Sequence, residues 1–159
     1  MGDNRPGLRE RILADTKEAM KAKETARLST LRLISAAIKD REIAARAESG
    51  EDRGLTEDDL IAILSRMVKQ RQESARAYEE GGRLELAERE QEEIRIIQNY
   101  LPRQLDGDEI VAAVDRAIAA LGADSIRDMG RVMAELRSRY AGQMDFGAVG
   151  PLVRERLMK

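Results

Sequence analysis

Two charged side chains stand where a helix pattern calls for apolar ones. At about 100° per residue, Leu60, Leu64, Met67, Ala75 and Tyr78 share one stripe, and Arg71 lies at its centre with Ser74 beside it. Further on, Ala87, Ile94, Ile97 and Leu101 share a second stripe, and Glu90 falls inside it with Glu93 close by. Two chemistries fit these residues. Either charge alone would be costly to desolvate, so a buried Arg–Glu pair that fixes helix register, Arg71 with Glu90, is the economical reading. The other is ligand binding: Arg32 and Lys39 lie two helical turns apart on one stripe. Between that stripe and Arg71, with Arg27, Lys69, Ser74, Glu90 and Glu93 around it, a phosphate or carboxylate could be held.

A second constellation lies near the carboxy terminus. Arg127 and Arg131 stand one turn apart, opposite an apolar face of Met129, Val132, Met133 and Leu136, with Arg137 and Arg139 nearby. Gly130 leaves the backbone open at the start of that helix, where amide groups favour anions. Nucleic-acid phosphates would suit these arginines, and a solvated helix face is the plainer alternative. From Pro102 onward nine basic residues balance nine acidic ones, so any patch is local. With no aromatic platform for stacking bases, RNA would be read through backbone and shape. Glu85, Glu88 and Glu92 share one side of a helix and could in principle take a divalent cation, but an exposed face beside Arg89 and Arg95 explains them more simply. No metal site and no cofactor are expected. Met129 and Met133 read as core, with a partner-facing surface as the alternative.

Composition narrows the chemistry further. Histidine and cysteine are absent, which excludes a Ser-His-Asp triad, a cysteine glutaminase and a zinc-finger ligand set. The 159 residues are 42% hydrophobic but only 3% aromatic, so the core must be aliphatic, and the net charge of -2 gives no global attraction to nucleic acid. The amino terminus is polar and no segment approaches a membrane span. A cytoplasmic protein that does not enter a membrane is the expectation.

The elements that must position these residues are all helical. A first helix from Leu8 to about Lys23 buries Leu8, Ile12, Thr16, Ala19 and Met20. A second, from Thr25 to about Ala47, carries Leu31, Ile34, Ile38 and Ala45, with Leu28 and Ile43 extending its apolar surface so that it becomes the central helix. Residues 49–54 read as a mobile polar loop. Thr56 with Asp59 starts the third helix, which runs to about Glu80, and Gly81-Gly82 turns the chain back. The fourth runs from Leu84 to Tyr100, where Pro102 stops it. Asp106, Ser125 and Asp145 start three shorter helices, the first two closed by Gly122 and Gly142, and Pro151 restricts the regular part of the last to its end. The expectation is an all-α chain. Residues 1–101 form a bundle of about four helices, two of them long, and residues 102–159 a small three-helix domain.

The segments RLSTLRLISAAIKD (27–40), KQRQESARAYEEGGRLELAEREQEEIRIIQNYLPRQL (69–105) and DSIRDMGRVMAELRSRYAG (124–142) resemble the YqeY family of small bacterial proteins. That family shares its fold with the helical and tail region of the B subunit of the tRNA-dependent amidotransferase, which converts Glu-tRNA(Gln) or Asp-tRNA(Asn) to the amidated form. The resemblance spans about Leu8 to Leu157. It implies association with glutamine-dependent carbon–nitrogen ligase chemistry, and tRNA contact through the carboxy-terminal part. There, DMGRVM is similar to a GKxM-like pattern, with Arg131 where lysine is common. The catalytic cradle of the B subunit has no counterpart here, so a non-catalytic accessory module is implied rather than the reaction itself. The runner-up is a protein-interaction module with a helical groove, binding a protein partner and no RNA.

Overall fold

A computed structural model describes residues 7–50 and 54–158. The described residues are all-helical: α1 (Leu8–Lys21), α2 (Thr25–Ser49), α3 (Glu57–Glu80), α4 (Leu84–Gln98), α5 (Gly107–Leu121), a 3-10 turn (Ile126–Asp128), α6 (Met129–Arg139) and α7 (Phe146–Leu157). They form two compact units, Met1–Leu101 and Pro102–Lys159. Of the expected loop at 49–54, residues 51–53 lie outside the described part.

In the first unit, α3 packs chiefly on α4 and α2 on α1 and α4. Leu31, Ile34, Leu60, Leu64 and Ile97 are fully buried. The start of α3 is set by its capping box. Thr56 Oγ1 accepts the Asp59 N–H at 3.1 Å and an Asp59 carboxylate oxygen accepts the Thr56 N–H at 2.9 Å. At its end Gly82 takes φ +74, while the Arg83 N–H reaches the Tyr78 carbonyl at 2.7 Å and the Gly82 N–H that of Glu79 at 3.1 Å. This Schellman closure turns α4 back along α3. The same closure ends α1, but there the left-handed residue is Lys23, at φ 58, a conformation costing a side-chain-bearing residue about 1–2 kcal/mol.

Three expectations need correction. Met20 is 53% exposed rather than buried, and Ile43, expected to extend the apolar surface of a central helix, is 55% exposed. Met20 stands about 100° around α1 from Ala19, off the buried stripe of Leu8, Ile12 and Ala19, and Ile43 faces away from Leu31, Ile34 and Ile38. Pro151 does not confine the last helix to its end, because α7 runs through it from Phe146. Only the proline's own backbone bond is given up, and Val149, Val153 and Leu157 stay buried along the same face.

The second unit is built by its caps. Asp106 and Glu109 form a reciprocal box at α5, and Asp145 Oδ1 accepts the Gly147 N–H at 3.0 Å at α7. Val114, Val132, Leu136 and Val153 make the core. Arg103 braces the α5 box, its two terminal nitrogens donating to Glu109 at 2.9 and 2.6 Å. This bond, followed by the Asp106 backbone, lowers the Glu109 carboxyl from 4.5 to about 2. A depressed carboxyl stabilises the fold above its unfolded value, and that contribution is lost as pH falls through the folded one. Acid melts of the full chain, followed by circular dichroism, should therefore show destabilisation between pH 4.5 and about 2, and Glu109→Gln should flatten the curve in that window.

Candidate functional site

The α3–α4 hairpin brings Arg71 to Glu93, each eleven residues from Gly82. Arg71 Nε donates to Glu93 Oε2 at 3.0 Å, with the two side chains 15% and 22% exposed. A second guanidinium nitrogen of Arg71 donates to the Met67 carbonyl at 3.1 Å. The sequence pairs Arg71 with Glu90, whereas the hydrogen bond goes to Glu93, one turn further along. Glu90 stays half-buried beside the pair. Burial pushes its carboxyl up first, the Glu93 charge adds to this, and Arg71 opposes it. Ser74 is half-buried and Lys69 exposed.

Arg32 and Lys39 lie on the exposed side of α2. Among the described residues neither makes a hydrogen bond or ion pair with Arg71, whose guanidinium is already engaged by Glu93 and Met67. Arg27 is drawn instead to Asp15, at 3.6 Å, and to Glu24, at 3.4 Å. The polar set is thus distributed over a register-fixing pair and a separate surface row.

At α6 the geometry is set by Asp128. Its Oδ2 accepts the N–H groups of Asp124 and Ser125 at 3.1 and 3.3 Å, and its Oδ1 accepts Arg131 at 3.0 Å. The Asp124 backbone, followed by Arg131, holds this carboxyl below its ordinary value. Arg139 is paired with Glu135 at 2.5 Å, and the Arg137 guanidinium sits 5.9 Å from the Phe146 ring centroid. Arg127 is exposed and makes no hydrogen bond or ion pair among the described residues. Four arginines against Asp124, Asp128 and Glu135 leave a local excess of +1. Gly130, the second residue of α6, is exposed, and a Cβ built there would meet nothing within 4 Å. No packing in the unit requires that glycine.

Among the described residues no group of three or more acidic side chains could hold a metal, and no helix is long and apolar enough to cross a membrane. One polar cluster gave no signal in the sequence. The Tyr100 hydroxyl donates to Asp15 Oδ2 at 2.5 Å across 85 residues, the Arg11 guanidinium lies 5.3 Å from the Tyr100 ring centroid, and Arg11 also donates to the Asn99 carbonyl at 3.2 Å. Burial, then the bond to Asp15, pushes the phenol up.

The sequence model of the Yqey-like proteins matches residues 9–157. The chain belongs to the YqeY family. Curated relatives in this family share the name Altered inheritance of mitochondria protein 41, mitochondrial. The protein of Lachancea thermotolerans is 40% identical over 87 residues, covering 55% of this chain and 44% of its own length. That of Clavispora lusitaniae is 39% identical over 90 residues, covering 57% and 49%. The Saccharomyces cerevisiae (strain YJM789) protein is 27% identical over 130 residues, covering 79% and 68%. This YqeY-family chain thus spans about half the length of the first two relatives. The cytoplasmic expectation is overturned here, because these relatives are named as mitochondrial proteins.

Two outcomes follow from the geometry. Arg71→Met should destabilise the first unit by about 1.5–3 kcal/mol, because Glu93 is left half-buried beside Glu90. Arg71→Met with Glu93→Leu should recover to within about 1 kcal/mol of the parent in urea titrations. Gly130→Ala should stabilise the second unit by about 0.5–1 kcal/mol, since the site is helical and open, read as a rise in Tm.

Proposed function

We propose that this YqeY-family chain is a non-catalytic accessory module. Its second unit would hold tRNA by backbone and shape contacts, in the setting of glutamine-dependent amidotransfer. One observation carries the reading: Gly130, a helical glycine that the fold does not need, sits between an unpaired Arg127 and an Arg131 already oriented by Asp128. Alanine there would favour the helix, so the open backbone serves something outside the chain. A phosphate group suits it, with two guanidinium groups flanking the exposed glycine. Arg137 and Arg139 extend the same helix, though Arg139 shares its charge with Glu135. The local excess of +1 favours a few phosphate contacts over a broad electrostatic footprint. The names of the relatives support a mitochondrial setting for the module.

The test is equilibrium binding of the full chain to total tRNA at about 50 and 200 mM salt. Affinity should fall with salt, and Arg127→Glu should weaken it and reduce the slope of log affinity against log salt by about 1. Gly130→Gln, which the helix tolerates, should weaken binding while circular dichroism stays unchanged. Salt-insensitive binding, or binding indifferent to both substitutions, would remove the reading. The pure chain supplied with glutamine, ATP and mischarged tRNA should form no amidated product.

A further inference from the structure

The outward face of α2 is built like the seam of a helix pair, and among the described residues of the first unit nothing covers it. Ser29, Leu33, Ala36, Asp40, Ile43 and Ala47 follow one another by alternating steps of four and three, the spacing that keeps residues on one line of a helix partnered by another helix. All six are exposed, Leu33 and Ile43 being 42% and 55% accessible. The buried face of Leu31, Ile34 and Ile38 lies on the opposite side. Ala36, between the two large aliphatic residues, leaves room for a partner's side chain.

Charge pairing on α2 divides along the same line. Away from the seam, Arg27 meets Asp15 and Glu24, Arg41 meets Glu48 at 3.3 Å and Glu42 meets Arg9 at 2.6 Å. Arg46 is the exception: it lies on the seam's edge, just before Ala47, and is engaged. Arg32, Lys39 and Asp40, by contrast, have no hydrogen bond or ion pair among the described residues. Asp40 sits in the seam itself, while Arg32 and Lys39 each precede a seam residue and so form a cationic row along one edge. In a helix pair, such edge positions choose the partner, and a polar residue in the seam sets the register.

We infer that this face of the first unit docks an amphipathic helix of another protein, one with aliphatic seam residues, carboxylates along the edge that meets Arg32 and Lys39, and a Lys or Arg over Asp40. A second copy of α2 is a poor occupant. In parallel alignment Asp40 would meet its own copy, and in antiparallel alignment the row of Arg32, Lys39 and Arg46 would face itself. A lipid surface is opposed by Asp40 in the middle of the apolar line. The proposal concerns the first unit and stands apart from tRNA binding by the second.

The probe is a synthetic peptide of about three heptads with Leu in the seam, Glu on the matching edge and one Lys at the centre, compared with the same peptide carrying Glu and Lys exchanged. The matched peptide should bind the full chain, and the exchanged one should bind about tenfold or more weakly. Ile43→Glu should abolish binding, and Arg32→Glu with Lys39→Glu should reverse the preference. All three side chains are exposed, so the fold should survive, as circular dichroism would show. The inference is overturned by no binding of the matched peptide or by equal binding of both. It is also overturned by a concentration-dependent dimer that Ile43→Glu dissolves, or by vesicles rich in phosphatidylserine that bind in an Ile43-dependent way.

Discussion

Helices that meet through Leu, Ile, Ala and Met side chains can slide along one another at small cost, and in this chain the sliding is stopped at the α3–α4 hairpin. A slip of one turn, about 5.4 Å, would break the 3.0 Å bond between Arg71 and Glu93. The Schellman closure at Gly82 fixes the other end of the same hairpin. Leu60, Leu64 and Met67 on α3, with Ile94 and Ile97 on α4, then present one joint surface to the rest of the unit. In a core poor in aromatic residues, directional bonds do the locating that bulky rings do elsewhere.

Much of this was legible because it is local. Thr56 and Asp59, Asp106, Asp145 and Gly122 mark element ends through bonds that span a few residues, so their spacing alone identifies them. The hairpin and its Arg–Glu pair were legible because two charges broke two apolar stripes. The choice of Glu93 over Glu90 was not, since both lie within reach at helical spacing and side-chain packing decides. Met20 and Ile43 were misread because an apolar residue off the main stripe of a helix can stay at the surface, and residue type alone does not say whether a neighbour covers it. The Tyr100–Asp15 bond joins positions with no pattern in common, so nothing in the sequence announced it. At α6 the four arginines were plain in the sequence. Their division into paired and unpaired depends on where Asp128 and Glu135 point, which a charge count does not contain.

Charge compensation is the thread through both units. The chain carries 28 basic and 30 acidic residues, and many of those on the helices described above are engaged with one another. Around the start of α6 and along the outer line of α2, the unengaged charges stand beside backbone or apolar surface that is also left open. A free charge on a solvated face is ordinary. One next to a glycine without a packing role, or within an aliphatic line at coiled-coil spacing, coincides with a second departure from what the fold needs.

The fastening at Tyr100 bears on mechanics. Tyr100 and Asn99 are held to α1 through Asp15 and Arg11, and Asp15 is also reached by Arg27 of α2. A pull applied to the chain at Pro102 would therefore not peel α4 from its last turn. The load would spread across three helices at once, and the first unit would yield as a block rather than unravel from its end.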